Sequence, residues 1–205
     1  MMRKTCDDWK RHFPPGKFGA HLFPEFESRT RAVSSEVFRV PRVSDATEAL
    51  LRLVEAVKAQ SAVVVESPLQ KAAGVTEALR ARGVTVYTEP DQIAAHADRA
   101  DIGISGVEFG IAETGSVFQD GYDIATRLVT ILPPLHVVFL PSAHIVPGIE
   151  EAFEIISPGF ERGYCGFITG PSRTADIERV LTIGVHGPSR FVIIAVDEEL
   201  KGGDA

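Results

Sequence analysis

Cysteine is scarce: Cys6 and Cys165 are the only two in 205 residues, far apart and without CxxC spacing. That excludes an intrinsic iron–sulfur cluster or a four-cysteine zinc site and suits a reducing compartment. Basic residues are in the minority, 21 Lys and Arg against 28 Asp and Glu, for a formal charge of −7. Sequence-independent nucleic-acid binding needs a basic surface that displaces counterions, so that class is set aside. No clean apolar run is long enough to cross a bilayer. The longest, Leu128 to Val146, contains Pro133, Pro134, His136, Pro141 and His144 and divides better into a helix end, a strand and a loop. Met1 to Lys10 is polar and charged rather than apolar, so no secretory signal is expected and the reading is a cytoplasmic protein. Nucleotide fingerprints are missing too. Gly103, Gly106 and Gly110 lack the G-x-G-x-x-G spacing and no GxxxxGK[ST] loop occurs, so these glycines are read as close packing of strand on helix.

What is present is ordinary for a globular fold, 44% hydrophobic and 24% charged residues. Residues 1–43 mix Phe18, Phe23, Phe26 and Phe38 with charges in no clean period. An N-terminal arm or small subdomain is expected there, its phenylalanines serving as core or interface anchors, ahead of an α/β domain over residues 44–205. Ala46, Ala49, Leu50, Leu53, Val54 and Val57 recur at helical spacing, which predicts an amphipathic helix over 46–60 capped by Ser44 or Asp45. Short apolar strands at 62–65, 84–87, 135–140 and 191–196 alternate with helices at 70–82, 91–98, 122–130 and 148–156. That rhythm predicts an α/β fold, a three-layer α/β/α sandwich with a mostly parallel sheet.

The candidate site gathers on three stretches. Cys165 to Thr169 reads as a buried strand that breaks at Gly170-Pro171, and Thr174 to Leu181 as a short helix. Backbone donors at that helix start, with Gly170, Ser172, Arg173 and Thr174, would suit an anion. A capped turn whose Arg173 pairs with Asp176 or Glu178 fits the same residues. Glu113, Thr114, Gly115 and Ser116 crowd polar groups among apolar neighbours, as an acid, a base or a ligand-positioning group, or as a turn whose Glu113 accepts backbone hydrogen bonds. His144 follows the 135–140 strand, at the end where open α/β sheets bind ligands. His186, bracketed by Gly184, Gly187 and Pro188, is a second candidate for proton transfer beside Glu113.

The run from Ile168 to Glu178, followed by Gly184-Val185-His186-Gly187-Pro188, resembles the signature of the lactate utilisation protein C family, a LUD-type domain. Ala112-Glu113-Thr114-Gly115-Ser116 and Leu140 to Val146 are similar to two further blocks of that family, in the family's order. The resemblance implies the shape shared by glucosamine-phosphate deaminase, ribose-phosphate isomerase and coenzyme A transferases. It also implies a cluster-free subunit needed for oxidation of L-lactate to pyruvate, with the iron–sulfur clusters carried by partner proteins. No cofactor of its own is expected. A stand-alone enzyme acting through Glu113 on a phosphorylated or coenzyme A thioester substrate stays open, as does a non-catalytic ligand-binding or assembly protein. The ligand in each case is a small carboxylate or phosphate, and a homo-oligomer is compatible with all three.

Overall fold

A computed structural model of the chain describes residues 4–160, 163–175, 181–183 and 186–200. Two 3₁₀ turns, Trp9–His12 and Ala20–Leu22, precede helix α1 (Phe23–Ala32) and strand β1 (Glu36–Val40). Helix α2 (Val43–Val57) leads to β2 (Ser61–Val64), the short helices α3 (Pro68–Ala72) and α4 (Val75–Ala81), then β3 (Thr85–Tyr87) and α5 (Pro90–His96). Strands β4 (Ile102–Gly106), β5 (Phe109–Ile111) and β6 (Ser116–Asp120) follow, then α6 (Ile124–Ile131) and β7 (Leu135–Pro141). Last come β8 (Ile145–Val146), α7 (Ile149–Gly159), β9 (Cys165–Ile168), β10 (Arg173–Ala175), β11 (Leu181–Ile183) and β12 (Arg190–Val196).

The main sheet is wholly parallel, in the order β1-β12-β7-β4-β2-β3. Its strands are buried on both faces, which is why they read as continuous apolar runs. Along β12, Val192, Ile194 and Val196 pack with α2 and α4 on one face, while Phe191, Ile193 and Ala195 face the other. That second face is covered in two halves. Helices α5 and α6 lie over Val63. Helix α1 and a second sheet, β8-β5-β6-β9, lie over Val138, Leu140 and Ile193. The outer side of the small sheet is closed by α7 and the N-terminal segment, with Trp9, Phe13, Phe109 and Phe118 in one cluster. Residues 4–43 therefore supply β1 to the main sheet, α1 to its covering layer and Trp9 and Phe13 to the outer core. Gly103 packs as its spacing suggested: a Cβ there would sit 2.2 Å from the Val129 carbonyl oxygen of α6.

The structure departs from the sequence reading in four places. Helix α2 starts one turn early, at Val43, with no side-chain cap from its own N-cap residue, Arg42. A tertiary cap replaces it, because the Val43 N–H donates to Glu198 Oε2 at 2.9 Å, from beyond β12. The single helix expected over 70–82 is two, since Ser67 and Gln70 form a capping box that starts α3 at Pro68, and Gly74 turns left-handed (φ +62°) between them. The strand at Cys165–Ile168 is the half-exposed edge of the small sheet rather than a buried strand. The helix expected over 174–181 is not formed at its ends. Arg173–Ala175 and Leu181–Ile183 pair antiparallel, Thr174 opposite Thr182, as β-branched residues favour. Residues 176–180 lie outside the described ones. Among the described residues, a strand rather than a helix start holds Arg173. Among the described residues, no helix is long and apolar enough to cross a membrane.

Candidate functional site at the carboxyl ends of the strands

Parallel strands leave their following loops on one edge, and a cavity of about 320 Å³ opens there. Strand ends and the segments after them line it: Val65 to Leu69 after β2, Ser105 to Glu108 at the end of β4, Pro141 and His144 at the end of β7, and Glu198 to Leu200 after β12. The N-terminal segment, Lys4 and Asp7 to Lys10, forms the remaining wall. Its volume is within the range of small-molecule sites. Carboxylates outnumber ammonium groups around it, so a cationic side chain there has particular weight.

Glu108 sits two residues beyond the end of β4, and Lys4 Nζ lies 3.2 and 3.5 Å from its two carboxylate oxygens. Burial pushes the Glu108 carboxyl above its ordinary range; Lys4 opposes this and the charge of Asp120 adds to it. The backbone of Glu108 holds a second functional group, since its carbonyl lies 3.2 Å from His144 Nδ1. A carbonyl can only accept, so Nδ1 carries the hydrogen and Nε2 is the acceptor of the neutral ring. Burial first, then Lys10, lower the His144 pKa and favour that neutral form. Phe13 braces the imidazole edge-on at 5.3 Å.

Below these groups Ser105 lies on the cavity floor as part of a buried polar chain. Gln119 Nε2 donates to Ser105 Oγ (2.8 Å) and to the Gly106 carbonyl (3.0 Å), and Thr130 Oγ1 donates to Gln119 Oε1 (2.6 Å). Ser105 Oγ also meets His136 Nε2 at 2.9 Å. A Ser–His contact invites a nucleophilic reading, but burial pulls the His136 pKa down to about 3. Nδ1 of that ring has no hydrogen-bond partner among the described residues, so nothing there would stabilise an imidazolium. The pair is a structural brace.

Asp120, at the end of β6, holds the N-terminal wall in place. Its carboxylate accepts from Thr5 N (2.7 Å), Thr5 Oγ1 (2.9 Å), Cys6 N (3.1 Å), Trp9 Nε1 (3.0 Å) and Tyr122 N (3.2 Å). Lys4 is the residue just before this clamp, with its side chain 41% exposed. Its backbone neighbour is fixed while its ammonium can exchange partners.

Of the residues singled out from the sequence, His144 lines the cavity. Glu113 does not: it is exposed, and its Oε2 accepts the N–H of Ile149 at 3.0 Å, capping α7. Gly148 makes room for it, since a Cβ there would lie 2.8 Å from that oxygen. Gly115 (φ +66°) brings its backbone against α1, where a Cβ would sit 2.3 Å from the Thr30 nitrogen, and its carbonyl accepts from Thr30 Oγ1 at 3.1 Å. Thr114 Oγ1 turns back to the Ser116 N–H (3.4 Å), and Ser116 Oγ meets Thr169 Oγ1 at 2.9 Å. Gly170 lies close to Ser35, whose hydroxyl donates to the Thr169 carbonyl at 3.0 Å. Ser172 Oγ donates to the carbonyl of the exposed His186 at 3.1 Å. The side chains of Arg173 and Thr174 lie outside the described residues. We expect Glu113→Ala to lower stability by about 1 kcal/mol through the lost cap, and Glu113→Gln, which keeps an acceptor, to unfold in urea close to the wild type. Loss of function in a fully stable Glu113→Gln protein would contradict a purely capping role.

Glu108 has a legible signal in the sequence, its place two residues past a strand end, masked by the glycines around it. Lys4 had none, because its partner is 104 residues away. A larger trough, about 720 Å³, runs along edge strand β1. Its arginines are already paired, Arg31 with Glu27, Arg39 with Asp197 and Arg52 with Glu48, and it lies beside the sheet rather than at the strand ends.

These observations define an α/β protein with a parallel central sheet, a small second sheet and a ligand-sized cavity at the strand ends. The chain belongs to the LUD domain family, whose model matches residues 23–196. It is 30% identical over 164 residues to lactate utilization protein C of Halalkalibacterium halodurans, covering 77% of this chain and 71% of that one. Against lactate utilization protein C of Bacillus subtilis it is 36% identical over 107 residues, covering 50% of this chain and 45% of the other. The chain thus spans about half the length of several of the curated relatives it matches. The same fold occurs in a crystal structure of a DUF162 family protein from Deinococcus radiodurans, with a TM-score of 0.59 at 20% identity, covering 89% of this chain and 99% of the other.

Proposed function

We propose that the chain serves L-lactate utilisation as a subunit without an iron–sulfur cluster of its own, working with iron–sulfur proteins and holding a small carboxylate in the strand-end cavity. The observation that carries this reading is the 30% identity to a lactate utilization protein C over most of both chains. Cysteine usage supports this reading, because Cys6 is buried and Cys165 is half-buried in another element, an arrangement that suits clusters carried by partner proteins. Ammonium groups at the cavity, Lys4 and Lys10, are the receivers for the ligand's carboxylate.

Deleting the gene in its host should abolish growth with L-lactate as carbon source, and the wild-type chain supplied in trans should restore it. Affinity purification from lactate-grown cells should recover cysteine-rich proteins with the visible absorbance of iron–sulfur clusters. Undiminished growth of the deletion strain on L-lactate would overturn the proposal.

A further inference from the structure

We propose that the open edge of β1 takes up a further strand: an extended segment of another protein, with apolar and acidic residues alternating, laid in the trough between α1 and α2. Among the described residues β1 is the outermost strand of the main sheet and pairs with β12 alone. One hydrogen bond shows which of its backbone groups stay outside. The Asp197 N–H donates to the Val40 carbonyl, so Glu36, Phe38 and Val40 turn their backbone toward β12. Val37 and Arg39 turn theirs to the trough, where an unpaired edge templates another strand. The Val37 carbonyl there accepts from Arg31 Nη2 at 2.9 Å. A side chain from α1 thus stands where the amide of an entering strand would donate.

The two walls differ, and the difference selects the occupant. Side chains alternate along β1, so Arg39 joins Val37 on the α1 side, its guanidinium 4.7 Å from the centre of the Phe23 ring. Phe38, 40% exposed, joins Val40 on the α2 side, where Ala49 also lines the trough. The α1 wall carries Arg31 and Arg39 against Glu27, whereas the α2 wall sets Asp45 and Glu48 against Arg52. An entering strand therefore meets net positive charge on one face and an apolar strip bordered by net negative charge on the other. Acidic residues suit the first face and uncharged apolar ones the second. The ion pairs Arg31–Glu27 and Arg39–Asp197 do not close the wall, because both are partly exposed and pairs of that kind hold weakly. A carboxylate on the entering strand can replace or share them. With β1 five residues long, the paired segment spans about 17 Å, and the trough volume of about 720 Å³ leaves room for it.

Fluorescence anisotropy of labelled six-residue peptides on the full chain tests this. A Val-Asp repeat should bind, and a Val-Lys repeat should bind at least about 10-fold more weakly, the worth of one charge-assisted hydrogen bond. The backbone nitrogens of the Val-Asp peptide can be methylated at the valines alone or at the aspartates alone. One pattern blocks the amides that face β1 and should weaken binding by about 10-fold or more; the other faces away and should leave it nearly unchanged. Arg39→Glu, at an exposed position, should reverse the preference between the Val-Asp and Val-Lys peptides. The wild-type comparisons need no variant to fold. No binding of the Val-Asp peptide, equal loss with both methylation patterns, or tighter binding of the Val-Lys peptide would each overturn the proposal. A concentration-dependent dimer in sedimentation that the Val-Asp peptide dissociates would also overturn it, by assigning the edge to a second copy of this chain.

Discussion

Asp120→Ala should destabilise the protein by about 2–5 kcal/mol, the cost of leaving two or more buried donors without their acceptor. Five donors converge on this carboxylate, two of them from Thr5 and one each from Cys6, Trp9 and Tyr122. Without it the Trp9 indole N–H and the Cys6 amide would be buried and unpaired, each at a cost of about 1–3 kcal/mol unless the segment detaches. Detachment has its own cost. Trp9 is 3% exposed, packs edge-on against Phe118 at 5.2 Å, and fits over Gly159, where a Cβ would lie 2.8 Å from the ring. Urea unfolding gives the stability change, and limited proteolysis should show early cleavage within residues 4–13. Asp120→Asn keeps an acceptor oxygen and should fall between the two. Because the segment carries Lys4 to the cavity, the alanine variant should also bind carboxylates more weakly. A loss under about 1 kcal/mol with an intact N-terminal segment would show that the hydrogen bonds do not anchor it.

The second large effect is on acid stability. His136 is fully buried, and burial lowers its pKa from 6.5 to about 3. Between these values the unfolded chain binds a proton that the folded chain refuses, so stability rises with pH there. The contribution is present in full above about pH 6.5 and is lost as pH falls toward 3. At roughly 1.4 kcal/mol per unit, the whole span is worth about 4–5 kcal/mol. His144, also lowered by burial, acts in the same direction, whereas Glu108, raised by burial, acts in the opposite one. Comparing wild type with His136→Leu isolates the His136 share. Unfolding free energies measured from pH 4.5 to 7 should show a steeper pH slope in the wild type, by roughly 1.4 kcal/mol per unit below pH 6. Parallel curves would mean that His136 titrates normally in the folded protein.

Legibility in the sequence followed the strength of local signals. Helix α2 declared itself through apolar residues at helical spacing, four of which, Ala46, Leu50, Leu53 and Val54, are buried. The parallel strands were visible as β-branched runs because both of their faces are covered. The small sheet was not, since β5 and β8 are only three and two residues long and β6 sits among glycines and polar groups. Their pairing depends on segments distant in the chain, Gly110 with Ile145 and Val117 with Ile168, and local pattern does not record such contacts. The pairing of β10 with β11 is hidden locally, because a Gly-Pro turn followed by Ser-Arg-Thr has the look of a helix cap, while Thr174, Thr182 and Ile183 prefer extended backbone. Position after a strand end puts both His144 and Glu108 in the cavity lining. Glu113 stood out for its neighbours, yet the helix start it caps begins 36 residues later.

The most direct test of the account is a crystal structure of the full chain grown with L-lactate. The carboxylate should lie in the strand-end cavity against Lys4 or Lys10. Lactate bound instead beside Ser172 and His186, with the Lys4–Glu108 pair undisturbed, would contradict it.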